Sequence, residues 1–265
     1  MVKILKLLVV FATLCMGNGL VAQPLPGGEV LRVDTRPQVQ VPLFAVWNPQ
    51  ATATVVLFSG GAGGYGKLNA DGWPGSQNFL IRTGKLWASY PFNVVMVGRP
   101  ADGIDLNDGT VRIGDLHAAD NVAIFAAVKA RSSLPLWVVG TSMGTISVSA
   151  AAIRDTGGQI AGVVLTSSVT GYKKAGAVLR QELDKIRVPT LVVHHARDGC
   201  RLCAPHEAKT IPATLKNAPV KAFLLVNEGE GESGDPCGAL HFHGYIGVEA
   251  SVVDHIARWI QHPAR

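Results

Sequence analysis

Short runs of Val, Leu and Ile, each about the length of one β-strand, recur along the chain and alternate with stretches of helical periodicity. Near-continuous apolar runs of this length indicate strands buried on both faces of a sheet. Strands that alternate with helices predict an α/β fold, a mostly parallel sheet with helices on both faces. The two earliest runs alternate more and meet at a turn containing Pro37, which predicts an antiparallel hairpin at the sheet edge. The eight predicted strands are 29–34, 38–47, 54–58, 93–97, 136–139, 160–166, 190–194 and 222–226.

The strand 136–139 runs directly into Gly140-Thr141-Ser142-Met143-Gly144, and an alanine-rich helical stretch follows. A G-x-S-x-G sequence between a strand and a helix is typical of a nucleophile elbow, a sharp turn that lifts the serine hydroxyl above the sheet. The alternative is an ordinary glycine-rich loop. The motif predicts Ser142 as the nucleophile and the Met143 amide as a donor to the oxyanion that forms when the serine attacks a carbonyl group.

With this motif, the chain resembles the α/β-hydrolase superfamily, in particular its esterases without a lid and its dienelactone-hydrolase-like members. The resemblance follows the order of elements over nearly the whole chain after residue 22. It implies an α/β-hydrolase fold with an eight-stranded, mostly parallel sheet and an antiparallel amino-terminal edge. Between the strands 160–166 and 190–194 there is room for a loop and one helix, so no lid domain is expected. The resemblance implies no metal and no organic cofactor.

The resemblance also implies that an acid and then a histidine follow the serine along the chain. Asp198 lies just past the strand after next and is the predicted acid, although Asp-Gly is also a common turn pair. The base is expected in the loop after the last strand, which offers His241 and His243 with side chains on opposite sides of an extended chain. His243 is favoured because it precedes Gly244 just before the final helix, and His241 is the alternative. Structural roles are expected for the other six histidines.

A second oxyanion donor is implied in the loop after the first long parallel strand. This loop reads Gly60-Gly61-Ala62-Gly63-Gly64, in which the main chain can approach a substrate closely and offer N–H groups to it. The amide of Gly61 or of Ala62 is the predicted donor, and the sequence does not decide between them. A phosphate-binding loop is excluded because the P-loop spacing is missing and no Ser or Thr follows Lys67.

The first residues place Lys3 and Lys6 before an apolar run that is too short to span a bilayer. This arrangement is typical of a signal peptide. Small and apolar residues at 20–22 predict cleavage after Ala22, with residues 1–22 as the signal peptide and residues 23–265 as one α/β-hydrolase domain. The mature protein is therefore expected to be exported, either periplasmic or secreted. A lipoprotein attached through Cys15 is the alternative.

Charge and hydropathy narrow the classes of partner. Loss of Lys3 and Lys6 lowers the formal net charge from +5 to +3, and the remaining basic residues form no run longer than Lys173-Lys174, so nucleic acid is not an expected partner. No other run is apolar for the length that a stable membrane span needs. The expected partner is a small-molecule or lipid ester, and the oligomeric state is left open.

Three cysteines remain after the leader, and export favours disulfides over reduced thiols. The loops that carry Asp198 and His243 are expected to leave the same end of neighbouring strands. A disulfide between Cys200 and Cys237 would then tie these loops together and leave Cys203 free, with Cys203–Cys237 and Cys200–Cys203 bridges as the alternatives.

Together these features predict a secreted serine hydrolase that cleaves carboxylic esters through an acyl-enzyme, with Ser142 as nucleophile, His243 as general base and Asp198 as the orienting acid. A serine peptidase or a thioesterase on the same fold is the alternative. Other classes are a C-x-x-C redox protein, a zinc protein and a non-catalytic binding protein. The C-x-x-C pair comes late in the chain and has no second pair, and a binding protein would be expected to lack a member of the triad.

Overall fold

The computed structural model describes residues 27–171 and 173–264. Eight strands form one open sheet in the order β1-β2-β4-β3-β5-β6-β7-β8. They are β1 (Glu29–Arg36), β2 (Val39–Val46), β3 (Ala53–Phe58), β4 (Phe92–Val97), β5 (Leu136–Thr141), β6 (Ile160–Thr166), β7 (Thr190–His195) and β8 (Lys221–Val226). β2 pairs antiparallel with both β1 and β4, and β3 to β8 pair in parallel. The predicted α/β sheet with an antiparallel amino-terminal edge is confirmed.

The inner strands are buried along their whole length, which explains why they read as continuous apolar runs. Every residue of β3, β4, β5 and β7 is buried. A parallel strand of this kind needs cover on both faces of the sheet. By contrast, β8 lies at the sheet edge and is only partly buried for most of its length.

Helices supply that cover on both faces, as predicted. They are α1 (Phe79–Arg82), α2 (Gly84–Ala88), α3 (Gly109–Ile113), α4 (Asp115–Arg131), α5 (Met143–Arg154), α6 (Pro205–Ala208), α7 (Ile211–Thr214) and α8 (Glu249–Gln261). One face packs against α4 and α5 through residues such as Phe125 and Val148. The opposite face packs against α1, α2 and α8 through residues such as Trp87 and Ile256.

The connection between β6 and β7 differs from the expectation of a loop and one helix. Its described residues form two short 3₁₀ helices, Val178–Arg180 and Leu183–Lys185. Val178, Leu183 and Ile186 are buried in the core of the sheet. Val178 begins the first 3₁₀ helix and Leu183 the second, so these buried side chains anchor separate short turns of chain. This segment packs onto the domain and adds no lid in its described part.

The features of the predicted leader, including the Ala22 cleavage site and Cys15, lie outside the described residues. The domain start at residue 23 therefore stays a prediction. None of the helices in residues 27–171 and 173–264 combines the length and the apolar character that crossing a bilayer requires.

Candidate active site

Ser142 occupies a sharp turn between β5 and α5, with φ of 52° and ψ of −124°. A non-glycine residue with positive φ is strained and persists only where its surroundings hold it. Here the Ser142 N–H donates to Thr166 O at 3.0 Å. A side chain at Gly140 would lie 2.5 Å from Gly144 O, and one at Gly144 would collide with Phe58 O. Both glycines of the motif are thus required by packing, and the geometry is that of a nucleophile elbow.

Asp198 and His243 form a buried pair at the carboxyl end of the sheet. Asp198 follows β7, and His243 lies in the 3₁₀ helix Phe242–Gly244. The His243 Nδ1 and Asp198 Oδ2 atoms are 2.9 Å apart, and the side chains are 6% and 0% exposed. An ionised carboxylate can only accept, so Nδ1 carries the hydrogen and Nε2 is left as a base. His243 Nε2 is buried and has no hydrogen-bond partner among the described residues.

The end of β6 brings Ser142 and the Asp198–His243 pair to one place. Thr166 O accepts from the Ser142 amide, and the next residue, Ser167, donates its hydroxyl to His243 O at 2.7 Å. The Ser142 hydroxyl makes no hydrogen bond to Nε2 here, and such bonds are often long before substrate binds. His241, the alternative base, packs edge-on against Phe242 and has no contact with Asp198 among the described hydrogen bonds and ion pairs.

A second histidine lies beside the same carboxylate. His194, in β7, is fully buried with Nδ1 3.9 Å from Asp198 Oδ2, and neither ring nitrogen has a hydrogen-bond partner in the described part of the chain. Burial lowers the pKa of His194 to about 4. His117, on α4, is buried too, and burial together with nearby arginines lowers its pKa to about 3. Both rings are therefore neutral near pH 7.

We expect these two histidines to make the folded protein less stable in acid. In the unfolded chain a histidine takes up a proton near pH 6.5, whereas His194 and His117 resist protonation in the folded state. As the pH falls from about 6.5 to about 4, the unfolded chain binds more protons, and the free energy of unfolding falls by roughly 3 kcal/mol for each histidine. Urea unfolding at pH 7.5, 5.5 and 4.5 measures this loss. His194→Asn should flatten the dependence, and a change at the exposed His262 should not. An unfolding midpoint that is constant from pH 7.5 to 4.5 would contradict the assignment.

The loop after β3 lies against the nucleophile. A side chain at Gly60 would lie 2.9 Å from Ser142 Cβ, whereas the space beside Gly61, which has φ of 55°, is open. The Gly63 amide donates to Gly60 O at 3.0 Å and closes a turn that contains Gly61 and Ala62. Met143 starts α5, where the first amides of a helix have no acceptor within the helix. Gly60 thus brings the turn that contains Gly61 and Ala62 up to Ser142, and Met143 follows the serine directly, so the three predicted oxyanion donors stay candidates.

The structure contains a disulfide between Cys200 and Cys237, the predicted pairing, and a buried free thiol at Cys203. The bridge joins the Asp198 loop to the His243 loop, and the Cys200 amide also donates to Asp198 Oδ1 at 2.9 Å. The sulfur atoms of Cys200 and Cys203 and a ring nitrogen of His243 lie within 4.8 Å of one another. Because the Cys200 sulfur is bonded to Cys237, these three groups do not provide three metal ligands, and the C-x-x-C pair is not a dithiol.

Cys203 is a neighbour of the nucleophile that the sequence did not indicate. Burial, together with the charge of Asp198, raises the pKa of the Cys203 thiol, and the neighbouring Ser142 side chain lowers it by less. A thiol of this kind stays protonated and is a poor nucleophile at neutral pH. Cys203 therefore packs beside Ser142 without competing with it for an electrophile.

We expect loss of the disulfide to destabilise the domain. The bridge joins residues 37 apart in the sequence, for which the loss of loop-closure entropy predicts a fall of about 4 kcal/mol in the free energy of unfolding. Urea unfolding of Cys237→Ser against the unaltered protein measures this, with Cys203→Ala as the control that keeps the bridge. Equal midpoints for Cys237→Ser and the unaltered protein would show that the bridge does not stabilise the fold.

No family model matches this sequence, and no curated protein matches it. Solved structures do match. A dienelactone hydrolase from Anabaena variabilis ATCC 29413 aligns with a TM-score of 0.66 at 14% identity, over 91% of this chain and 100% of that one. An α/β serine hydrolase without a lid from Xanthomonas campestris aligns with a TM-score of 0.59 at 16% identity, over 90% and 97%. An acylaminoacyl peptidase from Pyrococcus horikoshii aligns with a TM-score of 0.60 at 12% identity, over 88% of this chain and 40% of that one.

At these identities the likeness concerns architecture. The eight-stranded sheet, its antiparallel edge and its helices superpose on hydrolases of different reaction classes over about nine-tenths of the chain. The chain has the α/β-hydrolase fold.

Proposed function

We propose that this protein is a serine hydrolase that cleaves carboxylic esters through an acyl-enzyme intermediate. The observation that carries the proposal is the strained elbow at Ser142 beside a buried Asp198–His243 pair whose Nε2 is unpartnered. A strained residue next to an oriented base is the arrangement that activates a serine hydroxyl.

In the proposed reaction, His243 Nε2 takes the proton of the Ser142 hydroxyl as Oγ attacks the ester carbonyl carbon. The carbonyl oxygen becomes an oxyanion, which the Met143 amide and the amide of Gly61 or Ala62 stabilise. As the tetrahedral intermediate collapses, the C–O bond to the alcohol breaks and His243 gives that oxygen its proton. Water then attacks the acyl-enzyme, with His243 again taking and returning a proton, and the carboxylic acid leaves. Asp198 holds the imidazole in one tautomer and stabilises its protonated form.

The aligned structures favour an ester as the substrate. Two of the aligned structures are a dienelactone hydrolase and a serine hydrolase without a lid, which supports a small-molecule ester. The aligned acylaminoacyl peptidase supports an amide substrate as the alternative. A thioester would be cleaved by the same steps.

Export is part of the proposal. A disulfide forms and persists in an oxidising compartment. The Cys200–Cys237 bridge therefore fits the destination to which residues 1–22 would direct the chain, the periplasm or the exterior.

The test is a substrate panel with the purified mature protein. Nitrophenyl esters of increasing acyl length, aminoacyl anilides and acyl thioesters are compared by kcat/KM, with Ser142→Ala as the background. We expect ester turnover at least about 100-fold above that of the other two classes. Faster turnover of anilides would make the protein a peptidase, and turnover that Ser142→Ala retains would contradict the proposal.

A further inference from the structure

Arg112 is a buried cation that the proposed reaction has not used. It lies on α3 and is 2% exposed. Its guanidinium donates to Leu106 O at 2.6 Å, Ser147 Oγ at 2.8 Å and Gly61 O at 2.8 Å, with a longer contact of 3.4 Å to Ser59 O. All four acceptors are neutral, and two of them belong to the loop after β3.

The charge of Arg112 has no ion-pair partner among the described residues. Burial lowers the pKa of Arg112 to about 9, so the side chain is still charged near pH 7, and Asp105 opposes this effect from a distance. Arg36, another largely buried arginine on the same side of the sheet, is by contrast paired with Asp102 and Asp120. An unpaired buried charge is costly, and hydrogen bonds to neutral acceptors offset only part of that cost.

Because a peptide group is planar, the Arg112–Gly61 contact also sets the direction of the neighbouring amide N–H. In a trans peptide the C=O and the following N–H point in opposite directions. Arg112 Nη2 holds Gly61 O, so the Ala62 N–H is directed away from the guanidinium. Gly61 has φ of 55° and open space beside it, so side-chain packing does little to fix this peptide.

Arg112 also reaches the other side of the oxyanion site. Its Nη1 donates to Ser147 on α5, four residues beyond Met143, and Ser147 Oγ is 2.9 Å from His117 Nε2. One guanidinium therefore links the turn with Gly61 and Ala62 to the helix whose first amide is that of Met143.

We propose that Arg112 is a positioning residue that fixes the Gly61–Ala62 peptide, and with it the Ala62 amide as the second oxyanion donor. This inference rests on the proposed function. In this role Arg112 acts on the transition state through the main chain and does not contact the substrate.

The test replaces Arg112 with Met, which keeps much of the volume but removes the donors. Because one oxyanion donor is commonly worth a factor of 100 or more, we expect kcat to fall about 100-fold with KM within about threefold. Arg112→Lys keeps a charge without the planar fork, so its kcat should lie between those of Arg112→Met and the unaltered protein. The matched control is Arg154→Met, which removes an arginine that donates to Ile113 O and pairs with the exposed Asp115, but does not reach the Gly61 turn. Its kcat should stay within about threefold of the unaltered protein.

A second readout separates this role from a general loss of folded enzyme. A thionoester places sulfur, a poorer hydrogen-bond acceptor, where the oxyanion forms, so its hydrolysis depends less on the oxyanion donors. Arg112→Met should therefore lower the rate ratio of oxoester to thionoester by at least about tenfold. Equal losses on both substrates, with the ratio unchanged, would overturn the inference.

A third readout does not need activity. Arg112→Met should speed amide hydrogen exchange in residues 59–66 and leave β1 and β2 unchanged. If the unaltered protein hydrolyses no substrate, the proposed function fails, and this exchange still decides whether Arg112 positions the loop. Unchanged exchange in residues 59–66 would overturn the inference whatever the activity.

Discussion

Ser142→Ala is expected to lower kcat for ester hydrolysis by about 1,000-fold or more while the protein stays folded. The substitution removes the only group proposed to form the acyl-enzyme, and what remains is binding and the oxyanion site. Steady-state kinetics with a nitrophenyl ester, together with circular dichroism, measure both effects. Ser251→Ala, on the exposed surface of α8, is the control and should keep full activity.

The elbow offers a further check on the Ser142 result. Ser142→Gly should be as inactive as Ser142→Ala, yet glycine adopts φ of 52° without strain. We therefore expect the glycine variant to be at least as stable as the alanine variant in urea. If Ser142→Ala hydrolyses the ester as fast as the unaltered protein does, Ser142 is not the nucleophile.

His243→Ala is expected to lower kcat by a similar factor, about 1,000-fold, because no other base contacts Asp198 at hydrogen-bond distance among the described residues. The matched control is His241→Ala, two residues away in the same loop, which should keep activity within a few-fold. Kinetics of the two variants on one ester decide the matter. Loss of activity in His241→Ala with retention in His243→Ala would move the base to His241 and would leave the His243–Asp198 contact without a catalytic role.

The sequence predicted those features of the fold and the site that a short local pattern determines. Apolar runs marked the inner strands because a strand buried on both faces is mostly apolar, whereas alternation marked β1 and β2 at the exposed edge. Gly140 and Gly144 marked the elbow because a side chain at either would collide with the main chain. Asp198 and His243 could be placed because each follows a recognisable strand or precedes the last helix in the order that the resemblance implies.

Other features of the site depend on contacts between distant segments. Arg112 reads as one more residue of a short polar segment, and its bond to Gly61 O joins residues 51 apart. Cys203, in the loop after β7, lies near Ser142, which follows β5. No periodicity or motif in the sequence encodes these approaches.

The connection between β6 and β7 shows the same limit in the fold itself. Its length allowed a helix, but Val178, Leu183 and Ile186 anchor it to the core as separate short turns. Tertiary packing sets the conformation there, and local periodicity gives too weak a signal to decide between an α-helix and two turns of 3₁₀ helix.

Covalent labelling tests the identity of the nucleophile most directly. The folded protein is treated with a fluorophosphonate, which reacts with an activated serine, and the modified peptide is identified by mass spectrometry. The account predicts one adduct, on Ser142, that His243→Ala strongly reduces and that prior unfolding abolishes. An adduct on another serine or on Cys203, or none on a protein that hydrolyses esters, would contradict it.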